Sequence, residues 1–149
     1  MRLSDLIGIL PLVVLSVAIV VIMLAITIRR NHFATMLLTL IGLVLSFASL
    51  PIALSCKSIY ITPLFIKDGY GLFYMGLLFA ACVVTTILSY GYMRDRQTVK
   101  EEMYLLLLTA TLGAAALVSS SHFASFFLGL ELLSVSLYVL IAQILSYED

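Results

Sequence analysis

Charged residues are scarce in this chain: Asp, Glu, Lys and Arg together make up only 11% of its 149 residues. A soluble domain carries about 25% charged residues and needs polar side chains to cover its outside. Hydrophobic residues instead make up 63% of the sequence. This shortage of charge excludes a soluble globular domain and predicts an integral membrane protein.

Other features that mark common functional classes are also missing. Eight basic residues balance eight acidic ones, so no excess of positive charge indicates a nucleic-acid partner. The two cysteines, Cys56 and Cys82, offer neither the spacing of a metal site nor a disulfide framework, and Cys82 is predicted to be a small buried hydrophobe. The sequence therefore predicts no metal site, no bound cofactor and no redox chemistry in this chain.

Long apolar runs dominate what is present. A bilayer crossing needs about 20 residues. The first run is too long for the core of a signal peptide, so it is predicted to be a retained helix. We expect an all-α, polytopic membrane protein with five transmembrane helices in a single membrane domain over residues 1–149. The predicted spans are residues 6–28, 33–56, 69–93, 102–119 and 123–146. The alternating stretch 57–68 predicts an extended loop or a short hairpin at the interface.

The positive charges indicate an orientation. Short loops place five cations on one side and three on the other, which by the positive-inside tendency predicts an N-terminus outside the cell. The richer side holds Arg29, Arg30, Arg94, Arg96 and Lys100, and the other side holds Arg2, Lys57 and Lys67. The charge-dense segment 94–102 has two interpretations. It is a solvated loop with a capped helix start, or Glu101 or Glu102 contacts a partner subunit or the next helix.

Side chains within the spans predict packing rather than chemistry. The tyrosines near the two ends of the third span are typical of interfacial anchors. Hydroxyls such as Thr35, Thr39, Ser46 and Ser49 are expected to bond to the backbone or to a neighbouring helix. Small residues over 109–116 let helix backbones approach closely, so the fourth span is predicted to be interior.

One carboxylate stands apart, because Glu131 lies within the fifth span. A helix beginning near Phe123 puts it roughly 12 Å deep, where an acidic residue costs roughly 2.5–3.5 kcal/mol on insertion scales. Ser134 and Tyr138 share its helix face, so that face is expected to meet protein or water rather than lipid. Such a glutamate is either a proton relay or a protonated, hydrogen-bonded group that only holds helices together. His32 and His122 lie in turns, where polar loop residues are the more common interpretation.

Several segments resemble the antiporter-like membrane subunits of respiratory complex I. The resemblance rests on Glu102–Leu108, Leu112-Gly113 and Phe127–Ser134, of which the last contains Glu131. The segment Arg29–Phe33 and the pair Asp68-Gly69 are similar to the subunit N branch of bacterial NADH-quinone oxidoreductase.

The resemblance implies a proton-translocating membrane subunit that works with the other membrane subunits of complex I in a bacterial inner membrane. Glu131 matches the helix-5 glutamate that pairs in that family with a lysine on a later helix and conducts protons. NADH, FMN, iron–sulfur clusters and quinone are implied for other subunits and for none of these 149 residues. Family members have fourteen helices, so the chain resembles the N-terminal piece of such a subunit. The alternatives are a cation/proton antiporter subunit of the same superfamily and a non-catalytic five-helix membrane assembly protein.

Overall fold

A computed structural model describes residues 3–55, 60–66, 68–95 and 100–146. These residues form helices and one two-stranded hairpin. In chain order the elements are α1 (Leu3–Gly8), α2 (Leu10–Ile28), α3 (His32–Leu54), β1 (Tyr60–Thr62), β2 (Phe65–Ile66), α4 (Gly69–Arg94), α5 (Lys100–Ser119) and α6 (Phe123–Leu145). Helices α2 to α6 are long and apolar enough to cross a membrane. The prediction of an all-α membrane protein with five spans is thereby confirmed, with helix ends that differ by a few residues.

The largest difference lies in the first span, which was predicted as one helix over 6–28. The chain is helical from Leu3, turns at Ile9, and begins α2 at Leu10 with Pro11 in the first turn. Proline has no backbone N–H and cannot bond to the carbonyl four residues back. It is tolerated in the first turn of a helix because the N–H groups there have no intrahelical partner anyway. Pro11 therefore begins the membrane-crossing helix instead of bending it.

The connection between α3 and α4 contains a short hairpin, one of the two forms that the alternating pattern predicted. Strands β1 and β2 pair antiparallel, with Tyr60 opposite Ile66 and Thr62 opposite Phe65. Cys56 and four of the cations counted for the orientation lie outside the described residues. Those cations are Arg2, Lys57, Lys67 and Arg96.

The core lies between α2, α3, α4 and α5, which pack against one another. Leu15 of α2, Leu43 of α3, Phe79 of α4 and Leu108 of α5 are fully buried there. Cys82 is buried in the same cluster, as its apolar surroundings predicted. Helix α6 stands beside this group and packs chiefly on α5. One side of α6 is therefore left uncovered by the described part of the chain.

Candidate functional site

The start of α6 is held by the hairpin. The backbone N–H of Ser121 donates to the carbonyl of Leu64 at 2.9 Å, and the Ser121 hydroxyl donates to the carbonyl of Pro63 at 2.9 Å. The hydroxyl of Ser125, one turn into the helix, lies 2.7 Å from the carbonyl oxygen of Leu64. Phe65 forms an additional bridge with Ser120. The hairpin thus fixes the turn between α5 and α6 at the end of the bundle opposite the arginines Arg29 and Arg30.

His122 is the N-cap of α6. Its Nδ1 accepts a hydrogen bond from the backbone N–H of Ala124 at 3.3 Å, and its own N–H lies 3.4 Å from the hydroxyl of Ser125. A helix start has N–H groups without intrahelical partners, and a capping side chain satisfies one of them. The prediction that His122 is a turn residue agrees with this capping role.

Two glycines bring α5 and α6 into backbone contact. A Cβ atom on Gly113 would lie 2.7 Å from the backbone nitrogen of Leu133, and one on Gly129 would lie 3.0 Å from that of Leu117. A side chain on Gly113 would force the backbones apart, and one on Gly129 would fit only if its neighbours moved by a few tenths of an ångström. The small residues of 109–116 therefore do what their pattern predicted, since they let a neighbouring helix approach closely.

This contact decides which way Glu131 faces. Gly129 and Ser136 are buried on the side of α6 that meets α5. Glu131 lies on the opposite, exposed side, together with Leu128, Val135 and Tyr138. Tyr138 thus shares the face of Glu131 as predicted, while Ser134 lies half-buried at its edge.

Within the described residues, Glu131 makes no hydrogen bond and no ion pair. An ionisable group in the hydrocarbon needs a polar partner or water. Among the described residues, helices α2 to α5 supply no polar partner for this carboxyl group. Of the two interpretations of Glu131, neither is satisfied by contacts inside this bundle.

Buried hydroxyls of the bundle bond mainly to the backbone of their own helix, and Thr111 of α5 also contacts Sγ of Cys82 in α4 at 3.1 Å. Thr39 donates to the carbonyl of Thr35 at 2.8 Å, Ser46 to that of Gly42 at 2.8 Å, and Thr86 to that of Cys82 at 2.7 Å. Each hydroxyl proton is thus directed at the helix's own backbone, as membrane hydroxyls commonly do. The interior of α2 to α5 is therefore packed and internally satisfied.

The arginine-rich end of the bundle carries the one ion pair found among the described residues. Arg30 Nη2, in the turn between α2 and α3, lies 3.4 Å from Glu102 Oε1 in the first turn of α5. Neither interpretation of segment 94–102 named this contact, because Glu102 pairs with the earlier turn between α2 and α3 and not with a partner subunit or the next helix. Glu101 makes no such ion pair within the described residues.

A cluster at this end was not predicted. Nε2 of His32 lies 2.8 Å from the phenol oxygen of Tyr104, whose side chain is fully buried. The ring of Tyr90 stacks on the imidazole with 4.8 Å between centroids. His32 was expected to be a polar loop residue and Tyr90 an interfacial anchor, yet both are half-buried partners in one contact. Their common position at the charged ends of three spans is the signal that could have found them.

No three His, Cys, Asp or Glu side chains come close enough to hold a metal ion in the part of the chain that the structure describes. The candidate site in the described residues is the carboxyl group of Glu131 on the exposed face of α6. The start of this helix is capped by His122 and hydrogen-bonded to the hairpin.

Comparison with known proteins shows what the chain is similar to. The chain matches no protein-family model. It is 46% identical over 135 residues to NADH-quinone oxidoreductase subunit N of Methylococcus capsulatus, and the match covers 91% of the chain but 27% of that relative. The chain thus spans about a quarter of the length of this curated relative. With nearly half of its residues identical over nine-tenths of its length, the chain is homologous to part of subunit N of NADH-quinone oxidoreductase.

Proposed function

We propose that this chain forms the N-terminal five-helix part of a proton-translocating membrane subunit of NADH-quinone oxidoreductase, in which Glu131 is an intramembrane proton-relay carboxylate. The observation that carries this proposal is the 46% identity to a subunit N over 91% of the chain. Five helices capable of crossing a membrane agree with such a subunit. The enzyme activity is that of the assembled complex, and this chain contributes to it through the membrane.

The surroundings of Glu131 support a relay rather than a bond within the bundle. A proton relay needs a carboxyl group whose charge a neighbour can change, and such a group is expected where a second ionisable side chain reaches it. Glu131 is on the face of α6 turned away from α5. A later segment of the same subunit can therefore approach it directly. The resemblance to the antiporter-like subunits implies that this segment brings a lysine.

We extend the proposal to the cofactors, partners and location on the resemblance to complex I and on the distribution of charge. NADH, FMN, iron–sulfur clusters and quinone are assigned to other subunits of the complex. The partners of the chain are the neighbouring membrane subunits and the lipid bilayer. We place the protein in the bacterial inner membrane with its N-terminus outside, because the arginine-rich turns then face the cytoplasm.

The decisive experiment replaces Glu131 in the complete subunit within its assembled complex. Proton pumping is measured in sealed membrane vesicles as the pH gradient formed per NADH oxidised. Glu131→Ala is expected to lower pumping, and Glu131→Asp, which keeps a carboxyl group, is expected to have a milder effect. Asp95→Asn is the matched control, since Asp95 is an exposed carboxylate at the charged end of α4.

Normal pumping by the alanine variant would make Glu131 a structural residue. Equal losses for Glu131→Ala and Asp95→Asn would indicate a general effect of removing charge. A subunit that exchanges Na⁺ or K⁺ for protons without NADH would favour the cation/proton antiporter of the same superfamily.

A further inference from the structure

A groove with two chemically different parts lies between α2 and α5 at the arginine-rich end of the bundle. Its walls include Met23 and Ile26 of α2 and Leu105 of α5, and its mouth is formed by Arg30 and Glu102. The groove has a volume of 710 Å³. Met23, on the α2 side of the groove, is 50% exposed. An occupant must therefore be apolar along one part of its length and polar at one end.

The polar mouth retains unused hydrogen-bonding capacity. Arg30 and Glu102 approach to 3.4 Å, which is longer than the 2.7–2.9 Å typical of a tight charged pair. Their side chains are 60% and 46% exposed. A guanidinium carries five N–H donors in a planar fork, so one long contact to a carboxylate leaves most of them free. The mouth is thus open to an additional acceptor.

The sign of the charge at the mouth indicates an anion. Arg29 adjoins Arg30 in the chain, is exposed, and makes no ion pair with any described residue. The charged side chains described at this end of the bundle leave a net charge of +1 (4 − 3), from Arg29, Arg30, Arg94 and Lys100 against Asp95, Glu101 and Glu102. The arginine fork matches the geometry of phosphate oxygens.

We propose that this groove is a binding site for an anionic phospholipid of the bilayer. The lipid phosphate contacts Arg30, and one acyl chain lies along Met23, Ile26 and Leu105. Arg29, next to Arg30 in the chain, adds positive charge near this end. Basic pockets between membrane helices recognise anionic headgroups in this way. The site is independent of Glu131, which lies on another helix, and of the proton-relay proposal.

The test uses the complete subunit in its assembled complex, reconstituted in nanodiscs that contain trace phosphatidylglycerol with a photoreactive acyl chain. After illumination, cross-linked lipid is mapped on peptides that contain residues 23–28 and 102–105. The same experiment with photoreactive phosphatidylcholine distinguishes anionic recognition from ordinary contact with the bilayer. We expect phosphatidylglycerol to label these peptides more strongly than phosphatidylcholine does.

Four variants separate a lipid site from a structural salt bridge. Arg30→Gln is expected to lower labelling by phosphatidylglycerol about fivefold, the effect of one arginine near an anionic lipid. Met23→Trp fills the groove from its α2 side without changing charge and should also lower labelling. Glu102→Gln removes the competing carboxylate, so labelling should be unchanged or higher. Arg94→Gln, which removes an exposed cation elsewhere at the same end, is the control and should match the unaltered protein.

Labelling results can support or overturn the proposal. Equal labelling by both lipids that Arg30→Gln does not alter would overturn the proposal, because the groove would then contact bulk lipid only. Parallel losses in Arg30→Gln and Glu102→Gln would also overturn it, because the pair would then serve the fold rather than a ligand. Absence of phosphatidylglycerol labelling in the unaltered protein would also overturn it, because the groove would then hold no lipid in the complex.

Discussion

The phenol oxygen of Tyr104 lies 2.8 Å from Nε2 of His32, although 72 residues separate them in the chain. His32 is the first residue of α3, and Tyr104 lies in the second turn of α5. Tyr90 near the end of α4 stacks on the same imidazole. Three helices therefore meet on one side chain, which fixes their relative heights at the arginine-rich end.

Removing this hydrogen bond should destabilise the bundle. Tyr104→Phe keeps the buried ring but leaves Nε2 of His32 without its partner, and a typical hydrogen bond contributes about 1 kcal/mol. His32→Ala also removes the stacking with Tyr90, which adds about 0.5–1.5 kcal/mol. Thermal or denaturant unfolding in detergent micelles measures both. In the double variant the two effects should fall short of their sum by about 0.5–1.5 kcal/mol.

Tyr70→Phe is the control for this prediction, because Tyr70 lies at the other end of the bundle and is 77% exposed. It should leave stability unchanged. Strict additivity of His32→Ala and Tyr104→Phe would contradict an energetic link between the two side chains.

The sequence predicted the five spans well because apolar length alone identifies a membrane helix. It could not predict the cluster around His32, because hydrophobicity all round a membrane helix hides which face is buried. The contact between His32 and Tyr104 depends on how α3 and α5 are rotated about their axes, and no local pattern encodes that rotation. The start of α2 at Leu10 was missed for a different reason, since Pro11 can either bend a longer helix or begin a new one.

For Glu131 the sequence predicted the position along the fifth span but not the direction in which the side chain faces. Its place in the fifth span follows from counting residues from Phe123, where α6 begins. Its orientation follows from Gly129 and Gly113, whose close approach turns the opposite side of α6 outward. The small-residue pattern indicated a tight contact for α5, but not which residues of α6 would meet it.

Close approach of α5 and α6 makes a specific prediction for Gly113→Ala. The added methyl group would lie 2.7 Å from the backbone nitrogen of Leu133, and a backbone atom cannot move aside as a side chain can. The helices must separate, and overpacking of this kind costs about 1–3 kcal/mol. Gly129→Ala, at 3.0 Å from Leu117, should have an equal or smaller effect. Unfolding in micelles measures the loss.

Gly91→Ala is the matched control for the glycine pair. Gly91 also lies inside a helix, but a Cβ there meets nothing within 4 Å. This substitution should be neutral or stabilise the helix by up to about 1 kcal/mol. A loss as large as that of Gly113→Ala would mean that helix contact is not the cause.

The hydrogen bonds between the hairpin and the start of α6 predict a local effect of Ser125→Ala. Ser125→Ala removes the hydroxyl that lies 2.7 Å from the Leu64 carbonyl, so the hairpin should open more readily. Hydrogen exchange of the Ser121 amide, which donates to the same carbonyl, should become about fivefold faster for a loss of about 1 kcal/mol. Ser16→Ala, whose hydroxyl bonds only within α2, should leave that amide unchanged. Equal exchange rates of the Ser121 amide in both variants would contradict a role of Ser125 in holding the hairpin against α6.

Because Glu131 faces away from the other helices, we expect its substitution to lower proton pumping without changing the stability of the bundle. Glu131→Gln preserves the size of the side chain and removes its charge. Because Glu131 bonds to no described residue, the unfolding free energy of these five helices should change by no more than about 0.5 kcal/mol. The same substitution in the complete subunit should lower proton pumping per NADH, since a glutamine cannot take up and release a proton. A glutamine variant that unfolds as readily as Gly113→Ala would instead place Glu131 among the groups that hold the helices together.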